Sequence, residues 1–373
     1  MRRTVFDARH DEWRKRVRDF LEQEVVPEYA AWEVAGHPPR DFWPRAGAVG
    51  ILGVGVPVEY GGTPDTSFLH SAVFAEEAQA LGLAIAGVRV QVDICMPYFL
   101  ELADADQKQR WLPRLASGDA LAAIALSEPA AGSDLKALAT SARREGDHYV
   151  VNGGKTFISN GMKADLVILA VKTDRDAGRD GISLLVVEEG MPGFSRGRKL
   201  AKMGLHAQDL AELFFDDCRV PVANRLGAEN AGFTYLTRNL AQERLSIAVN
   251  SQAAAAAALA AAVEAVSGSK PGQHVKFELA ACATDVAAGQ ALVDQALAAH
   301  ERGELSVADA ALVKLFCTEL LGRVVDRCVQ VLGEKGLRKT SPLGRAYADA
   351  RVARIFGGSS EIMRVIVSQS LGL

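Results

Sequence analysis

The sequence predicts a mostly helical α+β protein, with an N-terminal helical domain, a middle β-barrel or sandwich domain and a C-terminal helical bundle. Three observations predict it. The spacing of apolar residues is helical, then short and strand-like, then helical again. A length of 373 residues gives room for two or three packed domains. Aromatic residues make up only 6% while alanine is abundant, a composition suited to closely packed helices. The changes of rhythm place the domains at 1–120, 121–226 and 227–373.

The elements follow in order. Val17, Phe20, Leu21, Val25 and Val26 fall at helical spacing until Pro27, and a second amphipathic run covers 68–81. Trp43 and the stretch 50–62 read as a helix end followed by a glycine-rich loop, without the strand–GxGxxG–helix order of a nucleotide fingerprint. Strands are expected at 121–126, 148–158, 166–171, 182–187 and 210–215, punctuated by turn residues at 152–154, 159–161 and 191–193. Long helices are expected at 232–266, 273–302 and 306–332, with a break at 267–272, and short connections make antiparallel neighbours of them.

Composition excludes several classes of function. A net charge of −4 and a pI near 6.0 leave no nucleic-acid footprint. Residues 1–20 are charged and read as no signal peptide. The most apolar stretch, 253–263, is mostly alanine and too short to span a bilayer, so the expectation is a cytoplasmic protein without a membrane segment. Cys95, Cys218, Cys282, Cys317 and Cys328 form no CxxC pair and lack nearby histidines, so buried reduced thiols are expected rather than a metal site or disulfides.

The chemistry-bearing residues begin at the end of the first expected strand. The segment 125–137, ALSEPAAGSDLKA, combines small residues that let backbone approach a planar ligand with the polar groups of Ser127, Ser133 and Asp134. On its own it reads equally as a polar turn. Its order resembles the first signature of the acyl-CoA dehydrogenase family. Three further segments agree in the same order: VNGGKTFISNG at 151–161, QVLGEKG at 330–336 and IFGGSSEIM at 355–363. Smaller echoes at 57–62 and 109–115 extend the resemblance over nearly the whole chain.

The resemblance implies a four-helix C-terminal domain and an FAD whose ring lies between the last two domains. Residue by residue, it implies that Ser127 and Ser159 meet the isoalloxazine edge, with Leu126 and Gly132 beside it. Phe157 stands where the family usually has tryptophan and would cover the ring; read without the family, it is a core aromatic of a hairpin. Ser133 would border both flavin and acyl-CoA. Gln273, Gln330, Gly333, Ser359 and Ser360 would complete the cofactor contacts, and Arg244 and Gly358 would touch substrate. The implied reaction removes an α-proton from an acyl-CoA thioester and passes a β-hydride to flavin N5, giving the trans-2-enoyl product. The implied acceptor is an electron-transfer flavoprotein, and the implied assembly a homotetramer.

A base is required, and many members place a glutamate just before the glycine of the C-terminal stretch. This chain has Gly357 there. Isovaleryl- and long-chain-type members carry the glutamate on a helix instead, and the segment 242–248, QERLSIA, resembles that helix. Helical spacing supports Glu243 independently, because Leu236, Leu240, Glu243 and Ile247 form one stripe. A local ion pair of Glu243 with Arg244 or Arg238 is the plainer alternative. Gly357 would contribute its backbone N–H toward the thioester carbonyl. The helix around 90–95 would border the acyl pocket, where Gln91 or Asp93 favours a polar acyl group, although solvent-facing side chains are the plainer reading.

The resemblance lapses in two places. The family's R-x-x-F-G-K-P segment, which lends an arginine to a neighbouring subunit's FAD pyrophosphate, is replaced by AVSGSKPGQ at 265–273. Glu334 replaces the second glycine of the 330–336 turn. Losing a cation and gaining a carboxylate both weaken diphosphate binding. A homotetramer with other phosphate contacts, such as Lys270, and a heterotetramer with a paralogous chain that donates the arginine are both compatible with this. So are a flavin-free subunit and an acyl-carrier-protein thioester as substrate.

Overall fold

The computed structural model describes residues 3–268, 270–338 and 340–373. Met1 of the N-terminal run and Ser269 of the expected helix break lie outside the described residues.

The N-terminal region is built from helices α1 (Ala8–Phe20), α2 (Tyr29–Ala35), α3 (Phe42–Val49), α4 (Phe68–Ala80), α5 (Ala86–Arg89), α6 (Met96–Leu102) and α7 (Ala105–Ser117). A π-helical turn, Leu21–Val25, prolongs α1 to the point where Pro27 was expected to stop it. Asp7, Ser67 and Asp104 cap α1, α4 and α7 with side-chain hydrogen bonds to first-turn N–H groups. A second π turn, Val90–Cys95, joins α5 to α6.

Eight strands follow among the described residues: β1 (Ala122–Ala125), β2 (Ser141–Glu145), β3 (His148–Ser159), β4 (Leu166–Lys172), β5 (Ile182–Glu188), β6 (Phe194–Lys199), β7 (Leu210–Pro221) and β8 (Arg225–Leu226). They form one mixed sheet in the order β6-β7-β3-β2-β4-β5-β8, with β1 parallel to β4. The path has free ends at β6 and β8 and curls so that β3, β4, β5 and β7 share an interior. β4 is buried on both faces, which is why it reads as a continuous apolar run. Its Val167, Leu169 and Val171 fill the sheet's own interior with Tyr149, Leu185 and Phe215. The alternate residues Leu166, Ile168 and Ala170 pack outward against Tyr98, Phe99 and Trp111 of α6 and α7.

The C-terminal region holds three long helices, α8 (Gly232–Ser267), α9 (Gln273–Glu301) and α10 (Val307–Leu332). Two short helices, α11 (Glu334–Leu337) and α12 (Pro342–Ala350), lead to the fourth bundle helix, α13 (Ser360–Ser370). Alanines 255, 258 and 262 are buried in the seam between α8 and α10, as the alanine tract suggested. One expectation is corrected here. The apolar stretch is not confined to 253–263, because α8 contains an 18-residue window apolar enough, by length and composition only, to cross a membrane. More than half of that apolar window is buried within the protein, so its hydrophobicity serves packing.

Candidate active site

The expected site residues gather in two clusters, each bonded to α5. The first lies at the sheet. The loop after β1 is pinned by Glu128, whose carboxylate accepts hydrogen bonds from Ala139 N (2.7 Å) and Thr140 N (3.1 Å) and from Lys155 Nζ (2.8 Å). Lys155 also donates to the Leu126 carbonyl at 3.1 Å. Both side chains are buried, and burial pulls Lys155 down to about 8 even though Glu128 raises it. Thr156 N donates to the Ser127 carbonyl at 2.9 Å, which clamps the loop onto β3. Ser127 is thus held against β3, the strand that carries Phe157 and Ser159, and both serines are half-buried.

Phe157 is not the core aromatic that a hairpin alone would make it. It is 64% exposed and its φ is +59°, a left-handed backbone that bulky residues rarely accept. Held strain that turns an aromatic ring outward is a mark of a binding surface rather than of packing. Gly132 is exposed beside this surface, and a Cβ there would meet nothing within 4 Å. Ser133 and Asp134 are exposed as well. A flat ring system fits these residues: an outward aromatic for its face, two hydroxyls for its edge and open space above the glycine.

The second cluster lies on α8, which is buried all round from Glu243 to Val249. Glu243 is 7% exposed, and Tyr98 Oη donates to its Oε1 at 3.0 Å. Burial raises the Glu243 pKa to about 7, against the lowering by the Tyr98 hydrogen bond and by Arg244. The local pairing considered from sequence is not made, because Arg238 bonds Glu101 instead. Arg244 Nε and Nη1 are sealed from solvent without a partner, so the site holds two unclaimed donors beside the carboxylate.

Gly357 and Gly358 approach this cluster from the C-terminal loop, both left-handed with φ of +63° and +93°. A Cβ on Gly357 would stand 2.2 Å from Ile247 Cδ1, so the isoleucine one turn beyond Glu243 occupies the space a side chain would need. Lys314, fully buried on α10, donates to the Gly358 carbonyl. Burial and then Arg244 lower its pKa to about 8. Ser359 caps α13, and Ser360 Oγ is engaged inside the bundle with Glu319 at 2.7 Å.

One short segment ties the clusters together. Asn160, next to Ser159, donates to the carbonyls of Gly87 (3.0 Å) and Ala122 (3.2 Å). Two residues beyond Gly87, Arg89 Nε donates to Ser246 Oγ at 3.2 Å, three residues from Glu243. The solvent-facing reading of Gln91 and Asp93 is overturned, since both are buried. Gln91 fastens the turn from α7 into β1 through the carbonyls of Leu115 and Ala120 and the N–H of Ala122. Asp93 accepts from Ser71 and Ser246 and faces Arg89 at 3.9 Å. It also borders a cavity of about 400 Å³ walled by Phe68, Val92, Met96, Leu100 and Gln242.

Gln273, Gln330 and Gly333 are not brought to either cluster. They lie exposed at the far end of the bundle, where α9 starts and α10 ends. From Glu243 to the end of α8 is 24 residues, or about 36 Å at 1.5 Å per residue. Glu334 at that end is paired with Arg338 at 2.9 Å, which offsets the carboxylate expected to weaken phosphate binding. Sequence reasoning missed Tyr98, Glu128, Lys155 and Lys314. Glu128 and Lys155 stand inside the 125–137 and 151–161 segments and were given no role, and the signal for Lys314 was a lysine inside the apolar run of α10, since a buried lysine needs a partner.

Comparison with known proteins agrees with this geometry. Models of the N-terminal, middle and C-terminal domains of acyl-CoA dehydrogenases match residues 7–119, 123–218 and 230–372. The chain is 39% identical over 379 residues to the mitochondrial long-chain specific acyl-CoA dehydrogenase of Sus scrofa, covering 99% of this chain and 88% of that one. It is 34% identical over 340 residues to the mitochondrial isovaleryl-CoA dehydrogenase of Pongo abelii, covering 89% and 80%. The crystal structure of acyl-CoA dehydrogenase from Geobacillus kaustophilus superposes with a TM-score of 0.97 at 40% identity, covering all of both chains. The chain therefore belongs to the acyl-CoA dehydrogenase family, FAD-dependent oxidoreductases that act on acyl-CoA.

Proposed function

We propose that the chain desaturates an acyl-CoA thioester between its α- and β-carbons to the trans-2-enoyl product, with Glu243 as the base. The observation that carries this reading is a buried glutamate poised near pH 7 next to a glycine loop that has no side chain of its own to offer. A carboxylate with that pKa is half-charged near neutrality and can take a weakly acidic proton and release it again. The unpartnered Arg244 N–H groups and the N–H of Gly357 supply donors for the negative charge that develops on the thioester oxygen. Lys314 holds Gly358 and so fixes the angle at which that loop meets the substrate. Ser127, Phe157 and Ser159 hold the FAD ring, and Leu126, Gly132 and Ser133 line its approach. FAD held there would supply the hydride acceptor for the β-carbon, with an electron-transfer flavoprotein as the electron acceptor beyond it in this reading. The cavity beside Asp93 receives the acyl chain.

The test uses the FAD-loaded protein under anaerobic conditions with a panel of acyl-CoA and acyl-carrier-protein thioesters. Glu243→Gln should keep the flavin spectrum and lose substrate-driven bleaching by about 10²–10⁴-fold in rate. Bleaching at the wild-type rate would move the base elsewhere.

A second reading concerns assembly. Gln273, Gln330 and Gly333 lie at the end of the bundle that α8 reaches about 36 Å beyond Glu243, and in this reading they serve the FAD of a neighbouring subunit. We infer an oligomer in which each cofactor is held by two chains, either a homotetramer or a tetramer with a paralogue that brings the arginine.

A further inference from the structure

We propose that Tyr98 is a positioning residue for the reaction: its hydroxyl clamps one oxygen of the Glu243 carboxylate, aims the other at the substrate and sets the pH range in which the base works. This rests on the reading of Glu243 as the base.

The geometry is specific. Tyr98 is fully buried, and the 3.0 Å bond joins residues 145 positions apart. Among the described residues it is the one side-chain hydrogen bond to that carboxylate. The π turn Val90–Cys95 is what brings the phenol there. Met96 N–H reaches back to the Gln91 carbonyl, five residues earlier, and Pro97 has no N–H to continue a regular ladder. One residue inserted in a helix rotates everything after it by about 100°, so a regular helix would aim Tyr98 at another face.

The other groups around Glu243 cannot take this role. Cys95, on the turn itself, is a buried thiol whose pKa is pushed up by burial and by Glu243. Arg244 precedes no hydrogen bond to the carboxylate and acts on it through its charge. Asn239 lies beside the Tyr98 hydroxyl and acts on that phenol, lowering its pKa, and not on the carboxylate. Lys314, from α10, faces Arg244 and is spent on Gly358. Tyr98 itself is raised well above the ordinary phenol value by burial and by Glu243, so it remains a donor throughout the working range. A donor to one carboxylate oxygen stabilises the charged form and leaves the second oxygen, fixed in direction, for the proton.

The experiment compares wild type, Tyr98→Phe, a site-specific 3-fluorotyrosine at position 98 and Glu243→Gln, all FAD-loaded. It reads kcat/KM for flavin reduction against pH, together with the infrared carboxylic C=O band in the flavin-free proteins. Tyr98→Phe should move the acid limb up by about 1–2 pH units, the equivalent of one lost charge-assisted hydrogen bond. The protonated-carboxyl band should persist to correspondingly higher pH. At high pH the plateau rate should stay below wild type, because the second oxygen is no longer held in direction, while the flavin spectrum is unchanged. Fluorination makes the phenol a stronger donor without changing the packing, and should move the limb the other way. Limbs that stay at the wild-type pH in both variants, while Glu243→Gln is inactive, overturn the clamp and leave the base intact. A Glu243→Gln protein that still bleaches its flavin overturns the base itself.

Discussion

At the scale of single residues, Glu243 combines burial with a proposed role as base that needs its charge, and its raised pKa makes the cost measurable. The value rises from 4.5 to about 7 on folding, so the folded state favours the protonated carboxyl. The associated stability is fully present below pH 4.5 and is lost as pH rises through 7. Glu243→Gln should therefore be more stable than wild type at pH 8, by up to about 3 kcal/mol, with the gap closing toward pH 4.5; thermal melts of the flavin-free proteins across that range check it. Activity runs the opposite way, rising with pH to a plateau above about 7, because the base must be ionised. Glu243 stood out in the sequence as a carboxylate on an apolar stripe, whereas its role as base was implied by the resemblance and by Gly357 standing where other members carry the glutamate. Tyr98 did not stand out, because nothing local marks a phenol whose partner lies 145 residues away. Phe157 was legible as a residue but not as a conformation, since a positive φ follows from the bonds that hold its neighbours and not from its own side chain.

At the scale of elements, the segment from α5 through the π turn does several tasks in few residues. Gln91 holds β1, Asp93 and Arg89 hold α8, and Tyr98 holds the base. The Asp93–Arg89 pair is enclosed, and burial pushes Asp93 up and Arg89 down. Asp93→Leu would strand a guanidinium without its counter-charge, and should cost about 3–5 kcal/mol in denaturant unfolding. The paired change Asp93→Leu with Arg89→Met should recover most of that loss. A pattern reading took Gln91 and Asp93 for a polar face because sequence spacing cannot distinguish solvent from a buried network. The strands show the same limit. β4 and β5 were plain as apolar runs, whereas β2 (SARRE) and β6 (FSRGRK) are polar segments recruited by register against β3 and β7. The two-residue β8 is too short for any periodicity.

At the scale of the whole molecule, α8 is the common beam. Its first turns pack with the N-terminal helices and the sheet, and its alanine-rich second half closes the bundle against α10. Three regions that differ in rhythm along the sequence therefore share one helix, and the order helix, strand, helix was readable while their joint use of α8 was not. The distance between Glu243 and the Gln273 end predicts that cofactor retention depends on assembly. Gln273→Ala should lower flavin content in the oligomer, measured by absorbance after gel filtration with light-scattering mass, and dilution to single chains should release flavin from wild type. Flavin held equally well by single chains would count against a shared site.

The left-handed backbone of Gly357 also constrains how this sequence can have changed over time. A residue that brought a carboxylate to position 357 would have to accept a left-handed backbone and displace Ile247 Cδ1 from 2.2 Å. Ile247 Cδ1 is the end of a flexible side chain and can turn aside, so the lasting cost of a side chain at position 357 is the left-handed backbone, φ +63°. A carboxylate at position 357 is therefore discouraged chiefly by the backbone that would have to carry it, a constraint that acts on the loop and not on the substrate.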